Sequence, residues 1–253
     1  MRLLLSNDDG VQSPGLEALA EALATIGEVT VVAPDSERSA FSSALTLDRP
    51  LRPVQQRNGF WAVNGTPADC VHLALNGFLD FEPDIVVSGI NSGANLGDDT
   101  LYSGTVAAAL EGRFLGKTGI AVSLVGAHAK GYGIESYRPA AAMVVRLIQG
   151  WNRLRLPERT ILNVNVPDMP LDDLRGFRVT RLGHRGRAKD VLTLEDPRGR
   201  KTYWIGLSGE PVDSGTGTDF HAVGEGYVSV TPLLTDLTRH DALQDVSRWA
   251  KDL

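Results

Sequence analysis

Asp8 and Asp9 stand side by side, directly after an apolar run and directly before a glycine. Adjacent carboxylates repel each other unless something positive lies between them. A hard divalent ion meets that need. Mg²⁺ and Mn²⁺ take oxygen ligands in octahedral geometry, commonly one or two carboxylates with waters and substrate phosphate oxygens. Ser39 and Asn91 would add neutral oxygens from two further loops, and so low a ligand charge leaves the ion electrophilic enough to polarise a phosphoryl oxygen. Ser103, Gly104 and Thr105 open a helical segment, offering two hydroxyls, free backbone N–H groups and a helix dipole to an anion. A cation site facing an anion site suggests a phosphoryl substrate. Asp-Asp-Gly after a strand is also an ordinary turn, so the pair alone decides nothing.

The elements that must position these residues alternate between strand and helix. An apolar strand over 2–6 ends at Asn7-Asp8-Asp9-Gly10. Ser13-Pro14 then offers an N-cap and a proline at the first helical position, with Leu16, Leu19, Ala20 and Leu23 at helical spacing and Gly27 as a stop. A second strand over 28–33 delivers Pro34-Asp35 and, further on, Arg38 and Ser39. Phe60–Val63 reads as a strand, and Thr66-Pro67-Ala68-Asp69 as a capping box opening a helix with Val71, Ala74, Leu75 and Phe78 on one face. A strand over 84–88 leads into a Gly/Asn-rich loop over 89–102 that carries Asn91, Asn95, Asp98 and Asp99. A helix over 104–115, a strand over 120–124, a helix over 139–150 and a strand over 161–166 follow. Strand and helix in alternation, with strands apolar on both faces, predict an α/β protein with a parallel sheet. In such a sheet ligands bind beyond the carboxyl ends of the strands, where these polar residues collect.

After Pro167 the pattern changes. Short strands over 177–181, 203–205 and 227–231 are separated by Gly/Asp/Arg-rich loops, and 241–251 reads as a closing helix. The expected division is a catalytic α/β core over 1–166 and a β-rich extension over 167–253, which needs the core or a second subunit for burial. The basic stretch from Arg175 to Lys201, nine Lys/Arg against three Asp/Glu, reads first as a solvated hairpin.

Composition narrows the class. With 42% apolar and 22% charged residues the chain can build a full core. A net charge of −6 argues against a protein held to nucleic acid by its overall charge. No apolar run reaches the ~18 residues of a membrane span, and the start is too short for a secretory leader. The single Cys70 suits a reducing compartment, so a cytoplasmic protein is expected, with Cys70 itself read as a core residue. The five histidines lack ligand spacing for zinc. The Gly89–Gly97 loop does not have the G-x-G-x-x-G spacing of a dinucleotide site. Glu111–Thr118 fails as a P-loop because glutamate stands where the first glycine belongs and the segment ends a helix. Asp213-Ser214-Gly215 is read as a turn.

With these residues in hand, the sequence resembles the survival-protein-E (SurE) family of metal-dependent nucleotidases. The blocks LLLSNDDGVQSPG, VVAPDSERSA, NGTPADCV, DIVVSGINSGANLGDDTLYSGTVAAALEG, ILNVNVP and GTDFHAVGEGYVSVTPL stand in the family's order over nearly the whole chain. The resemblance implies a Rossmann-like three-layer sandwich with a mostly parallel sheet and a C-terminal extension exchanged between subunits of a homodimer or tetramer. It implies one divalent cation per subunit, Mg²⁺ or Mn²⁺, on Asp8, Asp9, Ser39 and Asn91, with Asn95, Ser103, Gly104 and Thr105 lining a phosphate pocket. It further implies hydrolysis of nucleoside 5′- and 3′-monophosphates, and in some members of short polyphosphate. Asp8 or Asp9 is then the best-placed base for a direct attack by water, with a covalent aspartyl-phosphate as the alternative. No stable nucleic-acid or membrane partner is expected. A nucleotide-binding protein without turnover is the alternative. A receiver domain lacks its phosphorylatable aspartate here, since the candidate strand ends in Asn64-Gly65, and a haloacid-dehalogenase-like phosphatase needs D-x-D.

Overall fold

Leu3, Leu4 and Leu5 are all fully buried, which a strand achieves only when both of its faces are covered. In the computed structural model, which describes residues 1–115, 118–126, 132–251 and 253, that strand is β1 (Arg2–Ser6). It is followed by α1 (Pro14–Leu23), β2 (Glu28–Pro34), β3 (Pro53–Gln55), β4 (Trp61–Val63) and α2 (Pro67–Leu73). Then come β5 (Ile85–Ser92), α3 (Gly104–Glu111), β6 (Gly119–Val125), α4 (Ile134–Gln149) and β7 (Thr160–Pro167). The remainder forms β8 (Phe177–Val179), β9 (His184–Arg185), β10 (Leu192–Glu195), β11 (Lys201–Trp204), β12 (Pro211–Asp213), α5 (Asp219–Gly224), β13 (Val228–Leu234) and α6 (Leu243–Lys251).

The main sheet has the order β3-β4-β2-β1-β5-β6-β7-β13-β8. From β4 through β7 every pairing is parallel, while β3 and β13 run antiparallel to β4 and β7. The predicted mostly parallel α/β sheet is therefore the fold. Alternation along the strands sorts the core into two layers. Leu3, Leu5, Ile85, Val87, Ile120 and Val122 pack with α1 and α4. Leu4, Val86 and Val63 pack with Cys70, Val71 and Ala108 of α2 and α3 on the other face. Cys70 is thus a buried core residue, as expected, and burial pushes its thiol up.

Chain order fixes where a ligand can enter. From β1 the chain moves outward to β2 and β4, then returns to lay β5 on the opposite side of β1. The crossovers leaving β1 and β5 therefore part at their carboxyl ends and leave a crevice.

Several elements differ from their sequence-predicted bounds. β5 runs on to Ser92 because, after a register shift between Ser88 and Asn91, Asn91 and Ser92 pair with Ser123 and Leu124 of β6. Gly89 at the shift has φ +135°, and a Cβ there would lie 2.3 Å from the Val122 carbonyl oxygen. The helix expected over 104–115 ends at Glu111 and tightens into a 3₁₀ turn over Gly112–Leu115; part of the rejected P-loop segment lies outside the described residues. α4 begins upstream of Pro139, because Ile134 and the buried Tyr137 extend its apolar face past the proline. The helix after Thr66 gives way at Ala74–Phe78 to a wider turn with non-helical backbone at Asn76 and Gly77.

Beyond Pro167, β8 and β13 enter the main sheet, whereas β10 pairs only with β11, and β9 with β12. The β10–β11 hairpin and α6 contain no buried residue. Among the described residues no helix is long and apolar enough to cross a membrane.

Candidate active site

The turn that follows β1 is held from three directions. Buried Asn7 donates through its side-chain amide to the Gly10 carbonyl at 3.0 Å and to the Ser13 hydroxyl at 2.7 Å, tying the turn to the cap of α1. The Arg38 N–H donates to the Asp8 carbonyl at 2.7 Å, which brings the segment after β2 across the turn. Asp8 itself is 5% exposed, and its Oδ1 accepts from the Thr105 hydroxyl at 2.5 Å.

Thr105 lies in the first turn of α3, capped by the Ser103 hydroxyl, which accepts from the Val106 N–H at 3.0 Å. Gly104 packs directly on Asp8: a Cβ there would stand 2.8 Å from the Asp8 Cβ and 3.0 Å from its Oδ2. Asp9 turns the other way. Its Oδ2 accepts from the Ser92 N–H at 3.0 Å, beside Asn91 at the end of β5. Asp9 also lines a cleft of about 390 Å³ together with Ser92, Tyr132, Tyr137, Asp35 and Ser36.

Electrostatics follow from this placement. Burial pushes the Asp8 carboxyl up, against the opposing hydrogen bond from Thr105. Burial, and then the neighbouring Asp8 charge, raise Asp9 to about 7. Neither carboxylate is offset by a cation among the described residues.

The sequence-predicted residues are gathered unevenly. Asp8, Gly104 and Thr105 form one contact, with Ser103 capping the same turn of α3, and Asp9 reaches the strand end that carries Asn91. The Asn91 side chain donates to the Gly93 carbonyl at 2.8 Å. Ser39 is exposed and its hydroxyl donates to Glu37 Oε1 at 2.9 Å, so its segment meets Asp8 through backbone while the hydroxyl is committed elsewhere. Asn95 is buried among β6 and β7: its N–H donates to Asn165 Oδ1 and its side chain to the Ser123 hydroxyl.

Sequence reasoning missed the residues that hold the 93–101 loop. Asn163 and Asn165 both donate to the Asn95 carbonyl. Fully buried Asp219 accepts from the Gly97 N–H at 2.7 Å and the Gly183 N–H at 2.9 Å. Arg185 ion-pairs with Asp99 at 2.8 Å. The signal for the asparagines was present in ILNVNVP, where two amides at a spacing of two sit on one face of an otherwise apolar strand.

The donor set suits one type of metal. Among the described residues no three His, Cys, Asp or Glu side chains cluster. Two carboxylates with neutral amide oxygens and room for water fit a hard, octahedral cation and do not fit a closed tetrahedral zinc site.

Fold and site together define a Rossmann-like three-layer α/β protein in which, at the switch point of the sheet, Asp8 packs on the N-terminus of α3 while Asp9 faces the neighbouring cleft. The chain belongs to the survival protein SurE family, whose sequence profile matches residues 3–189. It is 56% identical over 253 residues to the 5′-nucleotidase SurE of Pseudomonas fluorescens (strain SBW25), with 100% of both chains covered. It is 58% identical over 249 residues to the 5′-nucleotidase SurE of Marinobacter nauticus, covering 98% of this chain and 95% of that one. Among solved structures, the SurE protein from Aquifex aeolicus is 42% identical and superposes with a TM-score of 0.85, covering 99% of this chain and 100% of that chain.

Proposed function

We propose that this protein is a divalent-metal-dependent phosphatase that hydrolyses nucleoside 5′- and 3′-monophosphates to nucleoside and phosphate in the cytoplasm, with short polyphosphate as a further substrate. The observation that carries the reading is the direct packing of Asp8 on the first turn of α3, through Thr105 and Gly104. It sets a carboxylate suited to a cation against backbone suited to a phosphate. The name 5′-nucleotidase, borne by relatives above half identity over the full chain, points the same way.

Asp8, Asp9 and Asn91 would hold one Mg²⁺ or Mn²⁺, with the Ser39 hydroxyl as a fourth ligand once released from Glu37. When bound, the ion neutralises charge on the phosphoryl oxygens. The chain's own groups do the rest. At the start of α3 the Val106 N–H is taken by the Ser103 hydroxyl and the Thr105 N–H by Asp8, so the Gly104 N–H and the Ser103 O–H are the groups that would bind phosphate oxygens, with the Asn95 side chain as a further donor. The Thr105 hydroxyl, donating to Asp8 Oδ1, fixes the direction of that carboxylate. Water attacks phosphorus in line, one of the two aspartates takes its proton, and the ester P–O bond breaks to release the nucleoside oxygen, which is then protonated.

Phosphate release from a panel of nucleoside 5′- and 3′-monophosphates and tripolyphosphate tests this, with Mg²⁺, Mn²⁺ or excess chelator. The expected result is metal-dependent release that both the chelator and Asp9→Asn abolish. No release under either metal, from protein shown to be folded, would overturn the reading in favour of a nucleotide-binding protein without turnover.

We further propose that the protein is a homo-oligomer, a dimer or tetramer, with the β10–β11 hairpin and α6 exchanged between subunits. The exposed Trp204, Ile205 and Trp249 support that reading. Neither nucleic acid nor membrane belongs to the proposed partners.

A further inference from the structure

β7 alternates cleanly between its two faces. Leu162, Val164 and Val166 enter the core under α1 and α4. Asn163 and Asn165 point to the other face, and both are fully buried. Burying two primary amides is costly unless their polar groups find partners. Three of their four polar side-chain atoms find partners on one residue outside the strand, while Asn163 Oδ1 has none among the described residues. The Asn95 N–H donates to Asn165 Oδ1 at 2.9 Å, and the Asn95 carbonyl accepts from Asn163 Nδ2 at 2.9 Å and from Asn165 Nδ2 at 3.0 Å. The Asn95 side-chain amide then donates to Ser123 Oγ of β6 at 2.7 Å.

Asn165 therefore closes on both the donor and the acceptor of a single residue, which fixes the orientation of that backbone as well as its position. Core packing alone does not call for this arrangement, since an apolar side chain on β7 would fill the same space without any amide to satisfy. We infer that Asn163 and Asn165 are positioning residues, which hold Asn95 so that its side chain meets the phosphate in one fixed orientation. The inference rests on the phosphatase reading for its kinetic consequence, but the clamp itself can be tested without turnover.

The clamp is tested by hydrogen exchange on the full-length protein. Asn165→Ala should speed exchange in the 93–97 segment by at least about tenfold while β1 and β6 stay protected. Asn163→Ala, which leaves the bidentate contact in place, should change it less. The kinetic arm is a double-mutant cycle on nucleotide hydrolysis. Asn165→Ala should lower kcat by about 10- to 100-fold with KM within about threefold, as expected when a reacting geometry is loosened. Because Asn165 acts through Asn95, the double variant Asn95→Ala/Asn165→Ala should be no slower than Asn95→Ala alone.

Unchanged exchange in the 93–97 segment, or losses that simply add in the cycle, would overturn the inference. If Asn165→Ala does not fold, Asn165→Ser carries both arms. If the wild type hydrolyses no nucleotide, the phosphatase reading fails, and the exchange result still decides whether β7 holds Asn95.

Discussion

Gly104 has no side chain because Asp8 occupies the space that one would need. Gly104→Ala must push α3 away from the carboxylate or turn Asp8 off Thr105. Overpacking of this type costs about 1–3 kcal/mol of stability. Displacing the reacting groups should also lower kcat by about tenfold or more, checked by phosphate release alongside a thermal melt. Ser39 should behave differently. Its hydroxyl is exposed and bound to Glu37, so Ser39→Ala removes at most one neutral ligand, roughly fivefold in rate for an interaction of about 1 kcal/mol. Asp9→Asn should cost about a hundredfold or more, since it removes a charge from the proposed cation site. Equal losses for the two variants would refute that ranking. Asp8, Asp9 and Thr105 were legible in the sequence because a strand end and a helix cap leave their side chains few places to go. Ser39 was only half legible, since the chain brings its segment to Asp8 by a backbone bond that no residue type announces.

Among the elements, α2 shows how a local motif becomes a pH-dependent tie. Thr66 and Asp69 form the predicted capping box, and Asp69 also accepts from the N–H and hydroxyl of Thr46, so one carboxylate fastens the 42–46 loop to the helix. Burial alone would raise the Asp69 carboxyl, but the hydrogen bonds from Thr46 and Thr66 outweigh it and hold it below the ordinary value. A lowered folded-state value means that the stabilisation is complete above the unfolded carboxyl value near about 3.9 and is lost as pH falls through the folded value. Wild type should therefore exceed Asp69→Asn by about 1–2 kcal/mol at neutral pH, with the gap closing below about pH 4. Urea unfolding of both proteins across pH checks this; a gap that widens in acid would contradict it. The box was legible because its four residues are consecutive. The extension of β5 to Ser92 was not, since it depends on a register shift against a strand some thirty residues away. The start of α4 was likewise hidden by Pro139, whose usual penalty is outweighed here by burial of Tyr137.

Across the whole molecule, the parallel sheet could be read from strand–helix alternation, whereas the return of the chain as β13 against β7 could not, because antiparallel partners distant in sequence leave no local periodic signature. The same holds for the surface of the last third of the chain. Leu243, Val246 and Trp249 recur every three residues along α6 and are all more than half exposed. With a second copy covering this stripe, light scattering should give a dimer or tetramer at micromolar concentration. Trp249→Glu, with Trp204→Glu in the hairpin, should shift it toward a smaller species. A monomeric wild type would contradict the proposed assembly.

The anchoring of the 93–101 loop by Asp219 has a further consequence, which concerns time. A ribosome delivers Asp8 and Asp9 well over a hundred residues before Asn163 and Asn165, and those well before Asp219. A nascent chain therefore exposes its carboxylate pair long before the surrounding loop can be locked. Locking of the loop waits until Asp219 has been made, and a chain cut short before that residue lacks the anchor.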